Sequence, residues 1–549
     1  MNLKDIKKEI KELLSFESHN NLKRPQRFDL FVFGMKNYIG TIITNVVFLL
    51  AACLTSCVED HPDLGSGTNP DGLFNECYSF FAVEGARGVD DVSSGCISQM
   101  WNANELTTDE AICAWGNDGI PNLCFNTYDA SNPMLGAFYD LLYKGVSICN
   151  RYLQEYGDHD VTMTAEVRFL RALNYYLLMD GWGNVPFLTD DDANKSDQYT
   201  RSRMFNFIES ELLEIEPLLS SDNAKKSSDS NYGRVDKAAA WLLLARLYLN
   251  SEVYTGSQQY PKAAQYASRV MSSDYKLNTT GVGSWSAYQM LFMADNGETD
   301  AAYEAIFPIR QDGRQTSYTG VTHFLIASTH DSDMDDSNGT TETWGGNRAR
   351  PELIAKWFPS GDAPEAGPKD FAVAAGDDRA IMDSRGRNIE NEDIGAFTDG
   401  FAIAKYNNFT TTGVSAGSAQ FPDTDFFMLR VAEAYLTYAE AMARMSGGTA
   451  VGDAADAINA LRTRANAMIQ DSYTLDDICD EWSREFYFEG RRRMDLIRFG
   501  KYGGSTNYSW RWKGGGYAGR DFEEYKNLFP IPNTALTANP GLTQNPGYR

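Results

Sequence analysis

Gly413-Val414-Ser415-Ala416-Gly417 has the spacing of a nucleophile elbow, in which a serine sits on a sharp turn between a strand and a helix. That chemistry needs a histidine base later in the chain. No histidine lies beyond His330, and Ser418-Ala419-Gln420-Phe421-Pro422 does not open a helix, so a serine hydrolase is rejected. Asp331, Asp333 and Asp335, with Glu342 eleven residues after Asp331, place oxygen ligands at positions 1, 3, 5 and 12 of a calcium loop. Asp336 stands where a glycine normally makes the turn, and no helices flank the stretch. It reads first as a solvated acidic loop and second as a calcium site. His323 and His330 are too few and too widely spaced for zinc. There is no P-loop, dinucleotide fingerprint or HExxH motif. Carboxylates abound, but the pair a glycosidase uses is defined by a spatial separation of about 5–10 Å, which sequence spacing does not set.

The chain carries 75 acidic and 49 basic side chains, a formal charge of −26. Phosphate binding needs clustered Lys and Arg, so nucleic acid is excluded as the partner. The charge suits a soluble, self-repelling surface protein. Ten Trp and 29 Tyr contribute to an aromatic content of 13%, much of it core and some fraction open to ligand stacking. Eight cysteines are present with no CxxC pair, which argues against a zinc ribbon. Cys113 and Cys124 flank a Gly-, Asn- and Pro-bearing loop; a bridge and two buried thiols are both compatible with that spacing.

The elements that must position these residues follow an export signal. Met35 to Cys57 has a basic start, an apolar run from Ile39 to Ala52 and Leu54-Thr55-Ser56-Cys57 at its end, the layout of a secretory signal peptide. The run is shorter than the about 20 apolar residues of a membrane crossing. The Leu-Thr-Ser-Cys ending resembles a bacterial lipobox, which implies cleavage before Cys57 and lipid attachment there. Residues 1–34 are then expected to be a leader outside the true start at Met35, 35–56 the signal and 57–75 a polar tether. The roughly 490 residues that remain suffice for a large core.

From Phe138 the pattern turns helical, with Leu142, Val146, Cys149 and Leu153 on one face. Thr164 is expected to cap the next helix, which ends at Gly181 and Gly183. There, small Ala165 and Ala172 alternate with Phe169, Leu170, Leu173 and Tyr176, as in tetratricopeptide-type hairpins. Met204 to about Glu216, a helix capped by Asp236, one starting at Pro261, Phe426 to Met445 and Ala454 to Ala467 continue the pattern at irregular intervals. Between Tyr303 and Phe427 the rhythm weakens into one strand, EAIFPIR, and long polar loops. Thr474-x-x-Asp477 opens a helix with a capping-box layout, and the run continues from Asp480 to Tyr502. Within it Arg491, Arg492 and Arg493 sit among acids, so ion pairing inside the fold is expected rather than phosphate binding. The proline-bearing C-terminus is expected to be an extended tail packed on the helices.

SREFYFEGRRRMDLIRFGKY, LFPIPNTALTANPGLTQNPGY, LRVAEAYLTYAEAMAR, AEVRFLRALNYYLLMDGWGNVPF and the lipobox together resemble the SusD/RagB family of outer-membrane nutrient-binding lipoproteins. The resemblance spans Cys57 to Arg549. It implies a mainly α fold: an irregular tetratricopeptide-like helix-turn-helix scaffold with long ligand-binding loops and a few short strands. Residues 76–300 would form its N-terminal helical region and 301–549 its C-terminal region. It also implies a non-enzymatic role, capturing oligosaccharides, or peptides in some members, at the cell surface for a SusC-like TonB-dependent transporter. The acids after Cys57 resemble a surface-export signal, which places the lipid-anchored globule outside the cell. A glycoside hydrolase on a helical scaffold and a lid that binds nothing alone are the competing classes.

The family's ligand residues lie in variable loops, so none carries over by motif. Sugars stack their C–H faces on aromatic rings and offer hydroxyls to Asn, Asp and Arg. Two loops have that composition: Trp101 to Asp118, with Trp101, Trp115, Asn117 and Asp118, and Tyr318 to Arg348, with Tyr318, His323, Trp344, Asn347 and Arg348. Trp344 stands out, flanked by Thr343 and Gly345-Gly346.

Overall fold

Helices dominate the computed structural model, which describes residues 69–82, 95–188, 197–316 and 320–548. The signal, Cys57 and Tyr318 lie outside those residues. Helix α1 is Pro70–Ala82, α2 Cys96–Glu105, α3 Pro133–Tyr156, α4 Val161–Trp182, α5 Arg201–Ile215, α6 Lys237–Leu249 and α7 Tyr260–Met271. Later come α8 Val321–Ala327, α9 Ala432–Met445, α10 Asp453–Arg464, α11 Leu475–Phe486 and α12 Arg492–Arg498. Helix α1 begins inside the stretch expected to be tether. Residues Gly67–Arg549 group as one unit, so the division near residue 300 separates stretches of sequence rather than two bodies.

Local chemistry sets the helix starts. Asn132 accepts from the amides of Met134 and Leu135, with Pro133 at the first helical position, so α3 starts five residues before Phe138. Asp160, not Thr164, caps α4 by accepting from Thr162 and Met163. Asp236 caps α6 and Thr474 forms the capping box of α11, both as expected. Small residues bring the hairpins together: Ala165 and Ala172 are fully buried, and a Cβ on Gly145 would stand 2.6 Å from Asn174 Oδ1 of α4.

Helix α3 packs on α4, α4 on α5, α6 on α7 and α9 on α10. The join between the α6–α7 and α9–α10 pairs is made by α7 and α9, which are far apart in sequence. Everything between Met271 and Ala432 is therefore an insertion into a helical stack. It is pinned at its base by an antiparallel pair, β2 (Ala305–Ile309) with β6 (Phe426–Arg430), in which Ile309 faces Phe426 and Ala305 faces Arg430. The expected strand EAIFPIR is this buried β2.

A second, four-stranded antiparallel sheet ties the insertion to the N-terminal region. Its order is β1 (Ala111–Cys113), β3 (Asn347–Ala349), β5 (Ala402–Ile403) and β4 (Met382–Asp383). Cys113 pairs with Asn347 and Ile112 with Arg348. Cys113 and Cys124 are buried free thiols here.

The C-terminal run splits between α11 and α12. Gly490 and Arg491 turn their amides onto Glu105 Oε1 at 2.6 and 3.0 Å, with Phe488 and Gly490 at positive φ. The arginines pair inside the fold as expected: Arg492 with Asp109 at 2.8 Å and Arg491 with Asp495 at 3.2 Å. Glu481 and Glu485 on α11 meet Arg379, Arg462, Arg430 and Arg464, all buried. The tail packs on α4 through Trp182 Nε1 donating to Pro530 O at 2.9 Å; a short helix, Asn533–Ala538, interrupts its extended course.

Candidate functional site

Sheet register brings the two aromatic loops together. The residue after Cys113, Ala114, donates its amide to Gly346 O at 2.9 Å, so Trp115 leaves β1 directly beside the Trp344-Gly345-Gly346 turn. Gly346 has φ +102°, and a Cβ there would stand 2.2 Å from Trp115 Nε1. Only a glycine accepts both that backbone conformation and an indole laid across it. The Trp115 and Trp344 ring centroids are 6.5 Å apart at 57°.

Trp344 is anchored by a helix end. The last carbonyls of α8 have no partner within the helix, and loop amides take them. Trp344 N and Gly345 N donate to Ala327 O at 2.9 and 3.0 Å, and Gly345 N also to His330 O at 2.9 Å. The indole Nε1 donates to Glu342 Oε2 at 2.9 Å, and Gln420 Nε2 holds the other carboxylate oxygen at 2.7 Å. His323 packs edge-on at 4.8 Å from the Trp344 ring and 5.1 Å from Phe421. With 37% of its surface exposed, Trp344 is nonetheless fixed in orientation.

The candidates from sequence therefore separate. Trp344 is exposed, Trp115 half-buried, Asn117 half-buried and Asp118 exposed on the turn next to Trp115. Four others are corrected to supporting roles. Trp101 is 1% exposed, donates to Phe488 O at 3.1 Å and stacks edgewise on Phe324, which in turn meets Trp115. His323 is buried beneath Trp344. Asn347 is buried in β3 with its amide on Ser328 Oγ at 3.0 Å. Arg348 is buried, its guanidinium spent on the carbonyls of Asp399, Gly346 and Ile394. Burial lowers the Arg348 pKa to about 10, so it remains charged and clamps Gly346 from below. Tyr318 lies outside the described residues.

The calcium reading is also corrected. Among the described residues no group of three or more metal-ligating side chains converges. Asp331 is paired with Arg387, Asp335 with Arg385 at 3.3 Å, and Glu342 is engaged by Trp344 and Gln420. Asp333 is exposed at the loop tip. Asp331 and Glu342 thus brace the loop that presents Trp344.

One exposed ring was not among the sequence candidates. Phe397, 40% exposed, borders the same turn: a Cβ on Gly345 would meet Phe397 Cδ1 at 3.1 Å. Arg387 joins the two segments, donating to Phe397 O at 2.8 Å while pairing with Asp331. An aromatic residue in the small, polar stretch Gly395-Ala396-Phe397-Thr398 was the available signal. Trp115, Trp344 and Phe397 thus border the same Gly345-Gly346 turn with polar groups nearby, an aromatic platform of the composition suited to stacking against ring-shaped, hydroxylated ligands.

Comparison with known proteins bears on this geometry. A model of the SusD family matches residues 249–548, and a model described as starch-binding associating with outer membrane matches residues 90–249. The chain is 36% identical to the starch-binding protein SusD of Bacteroides thetaiotaomicron, over 92% of this chain and 98% of that one. It is 25% identical to the SusD-like protein P2 of Formosa agariphila, covering 77% of this chain and 82% of that one. Among solved structures, surface glycan-binding protein A of Bacteroides thetaiotaomicron in complex with laminarihexaose superposes with a TM-score of 0.63 at 21% identity, covering 87% of this chain and 98% of that one. A SusD superfamily protein of Parabacteroides distasonis does so with a TM-score of 0.63 at 20% identity, covering 88% and 100%.

Proposed function

This chain belongs to the SusD family, and from that premise we propose that it is a glycan-binding protein of the cell surface that captures oligosaccharides on the Trp344–Trp115 platform. The observation that carries the reading is the fixed exposure of Trp344, whose indole is oriented by Glu342 before any ligand arrives. Preorganised rings lose little freedom on binding, so stacking appears as affinity. The similarity to a starch-binding protein supports α-glucan as the first ligand to test.

The protein would be attached through a lipid on Cys57 at the outer membrane, facing outward, and would pass its cargo to a SusC-like TonB-dependent transporter. Binding without turnover is proposed, in keeping with relatives named as binding proteins. Titrating the soluble chain after Cys57 with maltoheptaose, laminarihexaose and a peptide panel, beside Trp344→Ala, tests this. Saturable maltoheptaose binding that weakens about tenfold or more in the variant supports it; peptide binding, or glucan hydrolysis, would replace it.

A further inference from the structure

On the other side of the Trp344 loop lies a cavity of about 330 Å³ that the platform does not use. Its walls include three segments that bear rings or polar side chains. Val282 and Trp285 exchange backbone hydrogen bonds at 3.1 and 3.0 Å, a tight turn that holds Trp285 half-buried at the wall. Phe409 sits at the base of a short hairpin with Ser415, and its ring lies nearly parallel to Trp285, at 23° with centroids 6.5 Å apart. The third wall is His330 to Asn338, the start of the loop whose far end carries Trp344.

The polar groups at this cavity keep hydrogen-bonding capacity. Gln289 uses Oε1 to accept from Ser286, and Asn407 uses Oδ1 to accept from Phe409. Neither side-chain amide nitrogen is engaged among the described residues, nor is the ring of His330. Burial holds the His330 pKa below its ordinary value, so near neutral pH its imidazole is uncharged and can both donate and accept. Asp336, Lys369 and Lys405 bring charge to the lining, but Asp336 is already paired with Arg385 and Lys405 with Glu489, each at 2.7 Å, and Lys369 is exposed to solvent. The walls thus favour a neutral ligand. Ligand pockets span about 300–1,000 Å³, so this one is sized for one or two sugar rings rather than a long chain.

We propose that this cavity is a second carbohydrate pocket, which takes the terminal hexose of a glycan against Trp285 and Phe409 and meets its hydroxyls with Gln289, Asn407 and His330. It rests on the glycan reading of the platform, and it adds a site that recognises a chain end where the platform recognises a chain surface. The two share a loop: Asn338, at the cavity, donates its side-chain amide to Glu342 O at 3.1 Å, and Glu342 orients Trp344.

Saturation-transfer NMR with maltose, and titration with maltoheptaose, on the soluble wild type, Trp344→Ala, Trp285→Ala and Gln289→Leu test it. Trp344→Ala is expected to keep the maltose signal while losing maltoheptaose affinity. Trp285→Ala is expected to abolish the maltose signal and to weaken maltoheptaose about tenfold or less, the loss of one stacking partner. Gln289→Leu leaves both rings in place and is expected to weaken maltose in a chain with unchanged thermal unfolding. A maltose signal abolished by Trp344→Ala but intact in Trp285→Ala and Gln289→Leu overturns the pocket and leaves the platform standing. Wild-type protein that binds neither sugar overturns the glycan reading, and the pocket with it.

Discussion

Glu342 accepts a hydrogen bond from the Trp344 indole at 2.9 Å and a second, from Gln420, at 2.7 Å. A residue that sequence spacing offers to calcium is thereby the one that aims the exposed ring. Glu342→Leu is expected to leave the fold intact and to weaken glucan binding about fivefold, because Trp344 then samples other rotamers. Trp344→Ala should cost more, about tenfold or greater. Calorimetric titration of both variants with maltoheptaose checks the order.

Gly346→Ala tests the platform from below. Its φ of +102° disfavours any side chain, and the new methyl would meet Trp115 Nε1 at 2.2 Å. The expected result is a loss of roughly 1–3 kcal/mol of stability and displacement of Trp115. Urea unfolding and near-ultraviolet circular dichroism read the two effects.

Glu485 is buried among Arg430 at 2.6 Å, Arg379 at 3.3 Å and Arg464. Removing one partner of such a cluster leaves uncompensated charge inside the protein. Glu485→Ala is expected to destabilise by roughly 3–5 kcal/mol, whereas Asp333→Ala at the exposed loop tip should change stability by less than about 0.5 kcal/mol. Chemical denaturation of the two variants checks the contrast.

Stability should pass through a maximum in mildly acidic solution. For Glu481, burial opposes ionisation, but Arg379, Arg484 and Arg462 outweigh it and pull its pKa down to about 2. The unfolded chain then binds more protons than the folded one, so this stabilisation is lost as pH falls below the ordinary carboxylate range toward 2. Asp236 and Asp425 act in the opposite sense: burial raises each to about 6, the folded chain holds more protons, and stability declines as pH rises through the interval up to about 6. Asp236→Asn keeps a capping side chain and is expected to flatten that upper decline. Unfolding midpoints at pH 3, about 5 and 7 for wild type and variant measure both limbs.

Cys96, Cys113 and Cys124 are buried, and burial pushes each thiol up. They should react with a thiol reagent only after denaturant is added, since the thiolate is the reactive form. A bridge between Cys113 and Cys124 in protein secreted by an oxidising host would show as two fewer titratable thiols.

Local order was written in the chain. Asp236 and the Thr474–Asp477 box cap their helices because a cap needs only neighbours two or three residues away. The SREFYFEGRRR stretch and the helical hairpins identify the scaffold, since periodicity reports which face is buried. Trp344 and Trp115 could be nominated from loop composition alone. What composition could not do was separate them from Trp101, which has similar neighbours but is covered by Phe488 from across the chain. Nor could it pair Trp115 with Trp344. That pairing depends on the register of β1 against β3, a contact between segments more than two hundred residues apart, and on the single Cβ missing at Gly346. The sequence determined the helices and the kinds of side chain on the loops; the tertiary structure decided which rings reach solvent, because burial is set by non-local packing that no local pattern encodes.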